Sequence, residues 1–131
     1  MREEVRKMQP AREFDTPEGC YINELLNSDA DPEASIARAR VRPGVTTRWH
    51  RLDGITERYV IISGAGRVEA GDLPAQQVTA GDVVLIPPGC RQRITNTGDD
   101  DLVFLALCTP RFRQEAYEDI DPSPKPPDRA G

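Results

Sequence analysis

The sequence predicts an all-β domain, a sandwich or barrel of short antiparallel strands with at most a short C-terminal helix. Three observations carry this prediction. Residues Ser35–Val41 alternate strictly, with Ala37, Ala39 and Val41 on one face and Ile36, Arg38 and Arg40 on the other, the period of two of a strand. Turn signals recur at short intervals: Pro43-Gly44, Asp53-Gly54, Gly64-Ala65-Gly66, Gly71-Asp72, Ala80-Gly81-Asp82, Pro87-Pro88-Gly89 and Thr97-Gly98-Asp99. Twelve prolines and ten glycines in 131 residues leave no room between these signals for long helices.

The elements follow in order. Residues 1–13 are mostly charged and without period, so they read as a frayed arm or as an element ordered against a partner chain. A first strand is expected over 20–26 and a loop over 27–32, rich in aspartate. Further strands are expected at 35–41, 46–52, 57–63, 66–70, 76–79, 83–86, 92–96 and 102–108. The runs Val83-Val84-Leu85-Ile86 and 102–107 are apolar on both faces, as in strands covered on two sides. Residues 113–119 allow one or two helical turns, and 121–131 is a proline-rich tail expected to be disordered. The barrel domain is thus assigned to residues 14–120.

Composition limits the function. A net charge of -5 opposes nucleic-acid binding and docking on anionic lipid, both of which need a basic face. No run reaches the length of a membrane span, and Met1-Arg2-Glu3-Glu4 does not begin a signal peptide. Cys20, Cys90 and Cys108 are scattered and odd in number, as befits reduced thiols of a soluble cytoplasmic protein rather than a disulfide framework.

Two stretches carry a specific resemblance. The first runs Gly44, five residues, His50, Arg51, Leu52, four residues, Glu57, six residues, Gly64. The second runs Gly81, five residues, Pro87-Pro88-Gly89, Cys90-Arg91, Gln92, three residues, Asn96. In residue type and spacing they resemble the paired motifs of the cupin superfamily, small single-domain proteins of the RmlC-like jelly-roll type. Each motif departs at one histidine: Leu52 stands for the second of His-x-His, and Gln92 for the histidine of the second motif. The resemblance implies a double-stranded β-helix, a jelly-roll barrel of two antiparallel sheets. It also implies a homodimer in which N-terminal strands pair between subunits.

For the site, the resemblance implies a divalent metal in the barrel (Mn, Fe, Ni or Zn) held by His50, Glu57 and, through its amide oxygen, Gln92. Tyr59, two residues beyond Glu57 on the same face, is a candidate to present a hydroxyl to a bound molecule. Arg38 and Arg40 would clamp a carboxylate or phosphate if their face points inward. Cys90 shares the parity of Gln92 and would offer a thiolate to a soft metal. Trp49 has the opposite parity to His50 and is expected to pack outside the pocket, and 111–113 is placed to fold over the barrel mouth. Two functions stay open: a metal-dependent oxygenase, isomerase or lyase acting on a small organic substrate, and a non-catalytic small-molecule-binding protein using the same cavity without metal.

Overall fold

The computed structural model describes residues 1–125; the remainder of the proline-rich tail lies outside the described residues. Eleven strands are present among them: β1 Phe14–Asp15, β2 Tyr21–Leu26, β3 Ser35–Val41, β4 His50–Leu52, β5 Thr56–Ser63, β6 Ala65–Ala70, β7 Gln76–Thr79, β8 Val83–Ile86, β9 Gln92–Asn96, β10 Leu102–Thr109 and β11 Tyr117–Asp119. They form a six-stranded sheet in the order β1-β2-β3-β10-β5-β8 and a five-stranded sheet in the order β11-β4-β9-β6-β7. Every recorded pairing is antiparallel. This is the jelly roll that the resemblance implies.

The alternating strands explain the closure. Ala39 and Val41 of β3, Tyr59 and Ile61 of β5, and Phe104 of β10 face Val68, Val78 and Ile94 of the other sheet, and all are buried. Since β3 buries its small apolar face, Arg38 and Arg40 must lie on the outside. The motif residues build the turns. Gly64 has a φ of +87°, and a Cβ there would sit 2.7 Å from the Asp101 carbonyl oxygen and 2.9 Å from the Leu102 Cα, so only glycine lets β5 turn into β6 beneath β10. Asn96 is fully buried: its Nδ2 donates to the carbonyls of Val41 and Asp100, and its Oδ1 accepts from the Gly98 N–H, each at 2.8 Å. Asp82 Oδ2 accepts the Thr79 N–H at 2.7 Å.

Both ends of the described segment are tied to the barrel. Strand β1 pairs with β2 of its own chain, Asn23 Nδ2 donates to the Gln9 carbonyl at 3.0 Å, and Glu13 pairs with Arg40 at 2.5 Å and Arg38 at 3.4 Å. Within 113–119, where helical turns are expected, only Gln114–Ala116 form a 3-10 turn; Tyr117–Asp119 instead add β11 to the edge of β4. Residues 121–125 run on along β4. Asp121 Oδ2 accepts the Trp49 N–H at 2.8 Å, and Arg48 donates to the Ser123 and Pro124 carbonyls at 2.6 and 3.1 Å. No helix among the described residues is long and apolar enough to cross a membrane.

Candidate functional site

At one end the two sheets part around a cavity of about 440 Å³, within the size range of small-molecule sites. His50 and Leu52 of β4 line one wall, and Glu57 of β5 with Cys108 of β10 line the other. Of the segment 111–113, Phe112 lines the cavity, while Arg111 turns to Asn27 and Asp29.

His50 is buried, and its ring stacks on Tyr117 at a centroid distance of 5.2 Å. Its Nδ1–H donates to the Arg48 carbonyl at 2.8 Å, which leaves Nε2 with its lone pair. Burial lowers the imidazole pKa, opposed in part by the Arg48 carbonyl, so the ring is held neutral. Glu57 is equally buried, and burial pushes its carboxyl up to about 7 despite Gln92 and Cys108 beside it. Glu57 Oε2 accepts from the Cys108 thiol at 3.6 Å, but Oε1 has no hydrogen-bond partner. The buried Tyr117 hydroxyl is also without a partner. Two unpartnered polar atoms therefore lie on residues lining one cavity.

Two lining residues were not among those the sequence singles out. Glu18 arrives on the β1–β2 loop, whose carbonyl accepts the Arg48 N–H at 2.9 Å, and its carboxyl is raised to about 7 by burial and by the nearby Asp119. Tyr117 arrives on β11, within a segment whose sequence pattern reads as helical. Its Tyr-x-Asp alternation was the available clue.

The expected site residues divide. His50 and Glu57 come together at the cavity. Gln92 is opposite His50 in the β4–β9 register and fully buried, but its Oε1 accepts the Tyr59 hydroxyl. Tyr59 is thereby turned to Gln92 and packs against Phe104 with the rings tilted by 41°, and it is not among the cavity-lining residues. Arg38 and Arg40 are corrected outright: they sit on the outer face, paired with Glu13, and Arg40 also with Asp101 at 3.0 Å. Cys90 is corrected as well. It lies in the turn before β9, where strand parity does not apply, and packs on the main core with its thiol toward the Arg91 carbonyl. Trp49 lies outside the pocket, covered by Arg93 at 4.4 Å and Arg91 at 5.0 Å from its ring centroid.

The metal set fails on its donors. The Gln92 oxygen already accepts a hydrogen bond, Leu52 supplies an apolar wall, and only the His50 Nε2 and Glu57 Oε1 remain. Among the described residues no three histidine, cysteine, aspartate or glutamate side chains are grouped to hold a metal ion. One imidazole and one carboxylate do not fit a first-row transition metal, which takes at least three protein ligands in such sites.

Two antiparallel sheets closed over an apolar core, with a largely apolar cavity at one end that carries His50 and Glu57, define a double-stranded β-helix protein. The cupin domain family matches residues 37–108, more than half the chain, and the chain belongs to that family. It is 29% identical over 123 residues to an uncharacterized protein of Methanocaldococcus jannaschii, spanning 92% of this chain and 95% of that one. It is 37% identical over 73 residues to the oxalate-binding protein of Thermotoga maritima, spanning 54% of this chain and 58% of that one. Among solved structures it resembles Pac13, a nucleoside dehydratase from Streptomyces, with a TM-score of 0.73 at 17% identity over 90% of this chain and 92% of that one. That last likeness is one of fold.

Proposed function

We propose that this cupin acts on a small polar organic molecule by metal-free proton transfer between Glu57 and His50, as an isomerase or lyase. The observation that carries the reading is Glu57, a cavity-lining residue whose buried Oε1 lacks a hydrogen-bond partner and whose carboxyl is raised to about 7. A group with such a pKa gives and takes protons readily near neutrality. The neutral His50, with Nδ1–H committed to the Arg48 carbonyl, offers Nε2 as the base. The protons balance within one substrate: Nε2 accepts one and Glu57 delivers one, with or without loss of water. Cys108 holds the Glu57 carboxyl from Oε2, while Gln92, fixed by Tyr59, packs beside it.

The test is a carbon-13 and nitrogen-15 NMR titration of Glu57 and His50. Glu57 should titrate near 7, with the His50 midpoint below the ordinary 6.5. A Glu57 midpoint in the usual carboxylate range overturns the reading. So does a near-stoichiometric content of Mn, Fe, Ni or Zn that His50→Ala abolishes, which would restore the metal-dependent alternative.

We infer in addition that two copies of the chain pair through the outer face of β5 and β8, which carries exposed Ile62, Val83 and Leu85.

A further inference from the structure

The charges around the cavity discriminate between ligands. Glu18, Glu24 and Glu57 all line it, and none of the three has an ion-pair partner among the described residues. The cations nearby are committed. Arg48 is bound to Asp119 at 2.7 Å, and Lys125 lies 4.0 Å from the same carboxylate. Arg38 and Arg40 of β3 are on the far side of the sheet with Glu13. A carboxylate or phosphate entering this cavity would meet the like charge of Glu18, Glu24 and Glu57, with exposed Lys125, already beside Asp119, as the one lysine or arginine among the lining residues.

Acidic residues alone would not identify a ligand, since solvated carboxylates are ordinary. The second observation is independent of charge count: Glu57 Oε1 is withdrawn from water without a hydrogen bond of ordinary geometry, with only the Gln92 amide beside the carboxyl. Such an atom is costly to bury unless something absent from the chain itself supplies a donor. Opposite it stand the stacked rings of His50 and Tyr117, an aromatic wall against which an organic cation packs favourably. Leu52, Ala106 and Phe112 supply apolar surface for its carbon body.

We propose that the molecule bound here carries a protonated amine, with its ammonium group directed to Glu57 Oε1 and drawn in by Glu18 and Glu24. The proposal rests on the acid–base reading of the same cavity and narrows it, separating this chain from anion-binding uses of the fold. The net charge of -5 also favours approach of a cation over that of an anion.

Three probes of matched shape test it: benzylamine, benzyl alcohol and benzoate, each titrated into the full chain at pH 8 and followed by amide chemical shifts and calorimetry. Benzylamine should shift the amides around His50, Glu57 and Tyr117 and bind at least ~tenfold more tightly than benzyl alcohol, with benzoate weakest. Glu18→Gln with Glu24→Gln should weaken benzylamine by roughly tenfold, leave benzyl alcohol unchanged and lessen the salt dependence. Benzoate or benzyl alcohol binding as well as benzylamine overturns the amine assignment, as does no binding of benzylamine. Those outcomes leave the Glu57 and His50 titrations standing, so the two readings fail separately.

Discussion

A carboxyl group that loses its water on folding must find a partner or keep its proton, and Glu57 takes the second course. Its pKa is about 7 in the folded chain against an ordinary 4.5, so the folded state binds the proton more strongly than the unfolded one. The sign follows: its contribution to stability is fully present below about pH 4.5 and is lost as pH rises toward 7. Glu57→Gln has no such proton. Denaturant unfolding of both proteins should show the wild type losing about 3 kcal/mol relative to the variant between pH 4.5 and pH 7.5. His50, held neutral, slopes the other way in both proteins and cancels in that difference. A constant difference across the range would refute the buried-acid description. The missing ligands make a second prediction. Leu52→His with Gln92→His restores two imidazoles beside His50 and Glu57, and that variant should bind Ni or Zn near stoichiometrically by elemental analysis where the wild type does not. The exchange of buried Leu52 should cost roughly 2 kcal/mol of stability. At this scale the sequence was informative about His50, Glu57 and Gln92, because motif spacing ties them to fixed strand positions. It was silent about Glu18, which no period marks and only a long-range backbone bond to Arg48 brings to the cavity.

Strand parity is reliable within a strand and fails at its ends. Ser35–Val41 alternates as read, but alternation cannot say which face is inside. The small apolar face of Ala39 and Val41 went to the core, and the arginines went out to meet Glu13. Cys90 has no strand parity, since the turn 87–91 resets the period before β9 begins. β11 was invisible for a different reason. Three residues hold too little pattern, and their pairing is fixed by an ion pair and by backbone bonds across more than sixty positions of sequence. Arg48 is the anchor of this element, joined to Asp119, Ser123 and Pro124 at once. Arg48→Ala should therefore release β11 while the barrel stays folded. In hydrogen–deuterium exchange the amides of 117–120 should lose protection by roughly tenfold or more, with those of β10 unchanged. His50 should become more exposed as Tyr117 withdraws its ring, moving the imidazole midpoint upward toward its ordinary value. Unaltered protection of 117–120 would show that strand pairing alone holds β11.

For the whole molecule, the apolar runs of the sequence exceed what one chain covers. Val83-Val84-Leu85-Ile86 is apolar on both faces, and in the folded chain Ile86 is buried while Val83 and Leu85 remain 61% and 63% exposed. They adjoin Val60 and Arg58 of β5 in register, and β8 is the edge of its sheet, with unpaired backbone groups along one side. A monomer with this face in water would carry both an apolar patch and an open strand edge, the combination that promotes uncontrolled pairing. A twofold partner covers the patch symmetrically and needs no further component. The opposite edge is closed differently: β1 lies there, paired to β2 and held by the Glu13 contacts, so N-terminal strands are already engaged within the chain. The proposed dimer is accordingly placed at β8 and not at the N-terminal strand. Sedimentation at roughly 100 µM should give twice the chain mass. Val83→Lys with Leu85→Glu should give the monomer, with the benzylamine shifts at His50 and Glu57 preserved because Val83 and Leu85 point away from the cavity. A monomeric wild type at that concentration, or a dimer that survives both substitutions, would remove β8 as the interface.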